Sequence, residues 1–219
     1  MRIIDFVVSL GSLILLGPLM IVVAILVKLT SPGPVLYRAP RVGRGGQLFT
    51  MYKFRTMRLA GDDGPRITAG DHDPRVTAIG GWLRRFKLDE LPQLFNILRG
   101  QMGLVGPRPE DPSFLRFYTA EEREVLSTRP GLTAPVQLIY HELAERHLRP
   151  DEDPTQYYID HVLHQHLAMD LDYVRTRTFG GDLLLIWQTL LHIAGVRKSY
   201  TPAERAAPLD GAIKTTSRS

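Results

Sequence analysis

Cysteine is absent from all 219 residues, which excludes disulfides, thiolate metal sites and a thiol nucleophile, and fits a reducing compartment. A strong charge imbalance is absent too. The chain sets 27 Lys and Arg against 23 Asp and Glu, and a surplus of +4 does not argue for nucleic acid as a partner. No phosphate-binding P-loop occurs, Gly43-Arg44-Gly45-Gly46 does not match the dinucleotide fingerprint, and there is no Gly-x-Ser-x-Gly elbow. Internal repeats are missing as well. The length suits one catalytic domain plus an anchor and leaves little room for two full enzymatic domains.

Charge is missing locally in two ways that carry information. From Val7 to Val27 the chain runs 21 residues without a charged side chain, enough for a helix to cross about 30 Å of hydrocarbon. Gly17-Pro18 lies near its centre, where proline removes a backbone hydrogen bond and predicts a sharp bend. Basic residues flank both ends, Arg2 on one side and Lys28, Arg38 and Arg41 on the other, so the positive-inside rule selects no spanning orientation. A helix that enters the bilayer, bends at Pro18 and leaves by the same face satisfies both flanks; a single straight span is the alternative. A cleaved secretory signal fits poorly, because no small-x-small site precedes Lys28. The second gap is in acids: Arg38 to Arg58 contains six basic residues and no Asp or Glu, a stretch suited to phosphates or an anionic membrane surface.

Ser31-Pro32-Gly33-Pro34 reads as the turn between anchor and domain. Val35 to Met57 has the pattern of a hairpin about Gly43–Gly46, and Gly61 to Pro74 that of a surface loop. Apolar residues between Val76 and Leu98 recur at three- and four-residue steps, which predicts two amphipathic helices with a break near Lys87 and Asp89 as N-cap of the second. Helices are also expected over Ala120–Ser127, Thr155–Val174 and Asp182–Ala194. The last either packs in a core or lies in a membrane interface with Trp187 at headgroup level. Beyond Ser199 the chain reads as a frayed tail.

Three constellations carry chemistry. Asp89-Glu90, preceded by Arg84, Arg85 and Lys87, offers a carboxylate expected to stay ionised, suited to a nucleophile or a metal ligand, with helix capping as the plain alternative. Pro107-Arg108-Pro109 stiffens the backbone on both sides of an arginine, as bidentate phosphate recognition prefers; a solvated turn is the alternative. Lys53 and Arg55 alternate with Phe54 along an extended segment, either as a diphosphate clamp or as the wet face of a strand. His161, His164 and His166 lack zincin spacing, so a metal role there is disfavoured.

Taken in order, these features resemble the bacterial sugar transferase family, the small monotopic phosphoglycosyl transferases. The resemblance runs from the apolar anchor through Lys53–Met57, Leu88-Asp89-Glu90-Leu91-Pro92-Gln93-Leu94-Phe95-Asn96 and Gly103–Glu110 to Arg129-Pro130-Gly131-Leu132-Thr133, most of residues 1–200. It implies that Asp89 attacks the β-phosphate of a nucleoside diphosphate sugar, with uridine the expected base, and that the phosphosugar then passes to polyprenyl phosphate. It also implies Mg²⁺ near Asp89, with Glu90 assisting and Lys53, Arg84 and Arg108 meeting substrate phosphates; Arg55 joins that expected set as the second cation of the Lys53 clamp. The expected site is the cytoplasmic face of the inner membrane, in glycan or exopolysaccharide assembly.

Three departures stand out. Gly17 replaces the serine that often precedes the anchor proline, so the Gly17-Pro18 bend lacks that hydroxyl. Ala134-Pro135 and then Leu138-Ile139-Tyr140-His141 stand where the family commonly has Gly-Trp and later Asn-Gly-Arg, which leaves sugar specificity unassigned. No further apolar segment precedes the anchor, as in the short, catalytic-core form. The expected architecture is a mainly helical α+β catalytic domain with a small β-hairpin (31–198), a re-entrant membrane helix (1–30) and a flexible tail (199–219). A non-catalytic membrane scaffold for glycan assembly proteins is the competing reading, and self-association is left open.

Overall fold

The computed structural model describes residues 2–58, 73–138 and 153–195. The loop expected at 61–74 and the tail beyond Ser199 therefore fall almost wholly outside the described residues. Helix α1, Arg2–Thr30, is a single element with Pro18 inside it. The bend anticipated at Gly17-Pro18 is thus not a break: proline deprives the Ile14 carbonyl of its helical donor, and the surrounding turns keep their helical conformation.

One stripe of α1 is buried, through Ser9, Met20, Val23 and Val27. The opposite side is apolar and bare, with Leu15 and Leu29 each 78% exposed, an arrangement unstable against water. Both ends of the helix touch the same domain. At the N-terminus the Arg2 guanidinium lies against Gly100, and Asp5 Oδ1 accepts the Leu104 N–H at 3.4 Å. At the C-terminus Val27 packs with Phe54 and Leu83, and Lys28 Nζ donates to the Gly33 carbonyl.

Strands β1 (Leu36–Val42) and β2 (Leu48–Phe54) form the expected antiparallel hairpin, turning through Arg44–Gly46. Their inner face, Ala39, Phe49 and Met51, meets Leu94, Ile97 and Met102. Helices α2 (Ala78–Arg85) and α3 (Gln93–Leu98) are the two amphipathic helices, separated by a 3₁₀ turn at Leu88–Glu90. Thr77 caps α2, its hydroxyl oxygen accepting the Gly80 N–H. At Gly80 a Cβ would come within 2.0 Å of the Thr56 carbonyl oxygen, so only glycine lets α2 approach the end of the hairpin this closely.

Two three-residue strands, β3 (Gly103–Val105) and β4 (Gly131–Thr133), pair in parallel and bring the two quoted Gly-rich motifs side by side. Contact is close enough that a Cβ on Gly131 would sit 2.1 Å from the Gly106 nitrogen. The stretch expected as a helix over Ala120–Ser127 is instead a 3₁₀ segment, Glu122–Ser127. The C-terminal layer comprises α4 (Pro154–Tyr157), a π turn (Tyr158–Val162), α5 (Leu163–Thr176) and α6 (Phe179–Ile193). Helix α6 buries Asp182 and Leu185 but exposes Phe179, Leu183, Leu184, Trp187 and Leu190, so its apolar side faces outward.

Candidate active site

The acid pair sits in a strained turn. Lys87 adopts φ 55° and ψ 19°, the only non-glycine residue with positive φ among those described, and the chain then tightens into the 3₁₀ turn carrying Asp89 and Glu90. Both carboxylates are buried, at 7% and 9% exposure, where an ordinary surface cap would be hydrated. Asp89 does not fill the capping position expected of it. Pro92 stands directly before α3 and brings no capping side chain, and Asp89 Oδ1 is buried without a hydrogen-bond partner among the described residues.

Cations converge on this pair from three directions. From β2, Lys53 Nζ donates to Glu90 Oε1 at 2.7 Å. The strand is held in place by buried Asn96, whose side chain accepts the Tyr52 N–H and donates to the Thr50 carbonyl. From α2, Arg84 Nε donates to Thr56 Oγ1 at 3.0 Å and its charge acts on Asp89. From the Pro107-Arg108-Pro109 loop, Arg108 acts on Glu90 and on Lys87. That loop is tied down twice, by the Gly131 N–H donating to the Pro107 carbonyl and by the Arg108 N–H donating to Asp170 Oδ2.

The two carboxylates respond differently. Burial favours the neutral form of each, yet Lys53, Arg108 and Lys87 overcome it at Glu90 and hold that acid down at about 2. At Asp89 burial prevails over Lys53, and the group is raised above its ordinary range. Burial also lowers Lys87. Four basic side chains (Lys53, Arg84, Lys87, Arg108) surround two acidic ones, an excess of positive character suited to a polyanion.

Not every sequence-predicted residue arrives here. Arg55 is 4% exposed and turns to the neck below α1, donating to the Pro32 carbonyl at 2.6 Å and to the Ser31 carbonyl and Oγ at 2.7 and 2.8 Å. Strand β2 ends at Phe54, so the alternation that put Lys53 and Arg55 on one side no longer governs Arg55. Arg41 pairs with Asp111 and Arg44 donates to the Ser127 carbonyl. His164 pairs with Glu122 and His161 lies against Tyr157, while His166 is buried beside Tyr158. Sequence reasoning placed Lys87 beside the acid pair as a nearby cation, but did not single out Asn96 or Asp170 as site residues. The helix break marked the place of Lys87 but not its backbone strain, and nothing in sequence links Asp170 to a loop 62 positions away.

Residues 1–195 match the family model described as bacterial sugar transferase. The chain is 36% identical over 203 residues to the UDP-glucose:undecaprenyl-phosphate glucose-1-phosphate transferase of Caulobacter vibrioides, covering 91% of this chain and 71% of that protein. It is 35% identical to the UDP-N-acetylgalactosamine-undecaprenyl-phosphate N-acetylgalactosaminephosphotransferase of Aeromonas hydrophila, covering 85% of this chain and 41% of that one. Similarity to the exopolysaccharide production protein ExoY of Sinorhizobium fredii is 34% over 211 residues, 90% of this chain and 86% of that protein. Against several larger relatives the chain spans about two fifths of their length. A match over this much of the chain, joined to the buried acid pair within its ring of cations, places the protein in the bacterial sugar transferase family.

Proposed function

We propose that the chain transfers a sugar 1-phosphate from a uridine diphosphate sugar to polyprenyl phosphate, the first step of a glycan or exopolysaccharide. The observation that carries this reading is the desolvated Asp89-Glu90 pair facing Lys53, Arg84, Lys87 and Arg108. An Asp89 carboxylate oxygen attacks the β-phosphorus, the bond from that phosphorus to the bridging oxygen breaks, and uridine monophosphate leaves with the electron pair. An oxygen of polyprenyl phosphate then attacks the aspartyl phosphosugar and regenerates the Asp89 carboxylate. Lys53 keeps Glu90 ionised and oriented, while Arg84 and Arg108 neutralise the charge of the diphosphate.

The residues also fit Mg²⁺. Asp89 offers a buried oxygen with no hydrogen-bond partner among the described residues, a hard ligand of the kind Mg²⁺ takes singly alongside substrate phosphates and water. Asp89 and, beside it, Glu90 would hold the ion, which when bound would polarise the diphosphate and favour the ionised form of Asp89.

The anchor reading goes with this. Both ends of α1 contact one domain while its other side is bare apolar surface, which supports a helix that dips into the membrane and returns, with the domain on the cytoplasmic face. The apolar residues exposed on α6 and the half-exposed Trp82–Phe86 pair, next to Lys87 in the chain, add further apolar surface of the kind that sits at a bilayer interface, where a lipid phosphate and a soluble nucleotide can meet.

The test is release of uridine monophosphate from a panel of uridine diphosphate sugars in lipid nanodiscs with polyprenyl phosphate, with Mg²⁺ or with chelator. Release that disappears in Asp89→Asn and in chelator supports the proposal. An Asp89→Asn protein with full activity would end it, and turnover without label trapped on Asp89 would replace the covalent step by direct attack.

A further inference from the structure

The resting place of Arg108 is decided from a part of the chain far from the acid pair. Pro107 and Pro109 restrict the loop, and proline after Arg108 biases that residue to extended conformations, but neither fixes the height of the loop over the site. Two tethers do that. On one side the Pro107 carbonyl accepts the Gly131 N–H at 2.9 Å, and on the other Asp170 Oδ2, from α5, accepts the Arg108 N–H at 3.1 Å.

Asp170 is an expensive way to satisfy one backbone donor. It is 3% exposed, and its Oδ1 is buried without a hydrogen-bond partner among the described residues. Burial pushes the carboxyl up to about 8. A scaffold selected for stability alone does not need a carboxyl there. One turn back on the same face of α5, buried His166 stands edge-on to Tyr158, and the Tyr158 hydroxyl donates to the carboxylate of Glu110, the residue after Pro109. The C-terminal layer thus grips the loop at Arg108 and again at Glu110.

We propose that Asp170 is a positioning residue for Arg108: by accepting its backbone N–H, the α5 carboxyl sets where the guanidinium stands opposite Glu90 and so tunes recognition of the donor diphosphate without touching it. This rests on the reading that Arg108 meets that diphosphate. The layer carrying α5 then acts as part of the donor site rather than as packing.

The test is a double-mutant cycle on the full chain in nanodiscs, reading kcat/KM for the uridine diphosphate sugar that the wild type uses, with Tm alongside. Asp170→Leu, which removes the acceptor, is expected to lower kcat/KM about tenfold, and Asp170→Asn, which keeps an acceptor oxygen, to stay within about twofold of wild type. In an Arg108→Ala background Asp170→Leu is expected to add no further loss. If Arg108→Ala itself keeps wild-type kcat/KM, the diphosphate reading of Arg108 falls. If Arg108→Ala is impaired but Asp170→Leu is not, or its loss is undiminished in the double variant, positioning is overturned. Should Asp170→Leu fail to fold, Asp170→Glu decides: its longer side chain displaces the loop, and wild-type kcat/KM in that protein refutes the proposal.

Discussion

Replacing Arg55 with methionine separates two roles that the sequence leaves joined. A phosphate-binding arginine would be felt in KM, whereas the structure seals this one against the neck of the anchor. Its guanidinium makes three short hydrogen bonds, to the Ser31 carbonyl, Ser31 Oγ and the Pro32 carbonyl, from a nearly inaccessible position. Hydrogen bonds to charged groups contribute roughly 1.5–3 kcal/mol each, but they are not additive, and methionine escapes the desolvation cost of a buried cation. A net loss of about 3 kcal/mol follows, which for a chain of this length lowers Tm by about 6–12 °C. Circular dichroism melting in nanodiscs measures it, with donor KM read well below the transition and expected within about twofold of wild type. An unchanged Tm together with a tenfold rise in KM would return Arg55 to the phosphate site and refute the reasoning.

Other consequences can be checked in the same preparation. Glu90 is buried yet held down at about 2 by Lys53, Arg108 and Lys87, so its contribution is present above the ordinary carboxylate range and lost as pH falls toward 2, on the order of 3 kcal/mol in all. Lys53→Met should therefore raise the pH of acid unfolding by about one unit, followed by far-UV circular dichroism, and an unshifted midpoint would show that Lys53 does not hold Glu90. Because Lys87 sits at φ 55°, Lys87→Gly should be more stable than Lys87→Ala by about 1 kcal/mol in denaturant titration, with equal stabilities counting against strain at that turn. In a Trp82→Phe protein the remaining Trp187, 59% exposed on α6, should be quenched by lipids brominated on their acyl chains; no quenching would place α6 away from the bilayer.

Much of the architecture was legible because it depends on local chemistry. Apolar residues at helical spacing announced α2 and α3, and the break at Lys87 announced the turn between them. A turn of glycines between β-rich stretches announced the hairpin. Legibility failed where a short helix meets its neighbours. Asp89 reads as a cap because Asp before a proline-started helix commonly is one, yet burial took it out of that role. The leucines and Trp187 of α6 fit a core or an interface equally well until the neighbouring elements buried only Asp182 and Leu185.

By itself the sequence determined the long apolar N-terminal helix, the hairpin, the two helices on either side of Lys87, and the residue types able to carry phosphoryl chemistry, since these follow from hydropathy, spacing and side-chain identity along the chain. Tertiary structure alone decided which cations meet the acid pair. Lys53 and Arg55 lie two residues apart yet end at Glu90 and at the neck of the anchor, while Arg108 and Asp170 lie 62 apart and touch. The reason is that charge and hydrogen bonding act through space over a few ångströms, and only the packing of β2, the Pro107–Pro109 loop and α5 sets those separations.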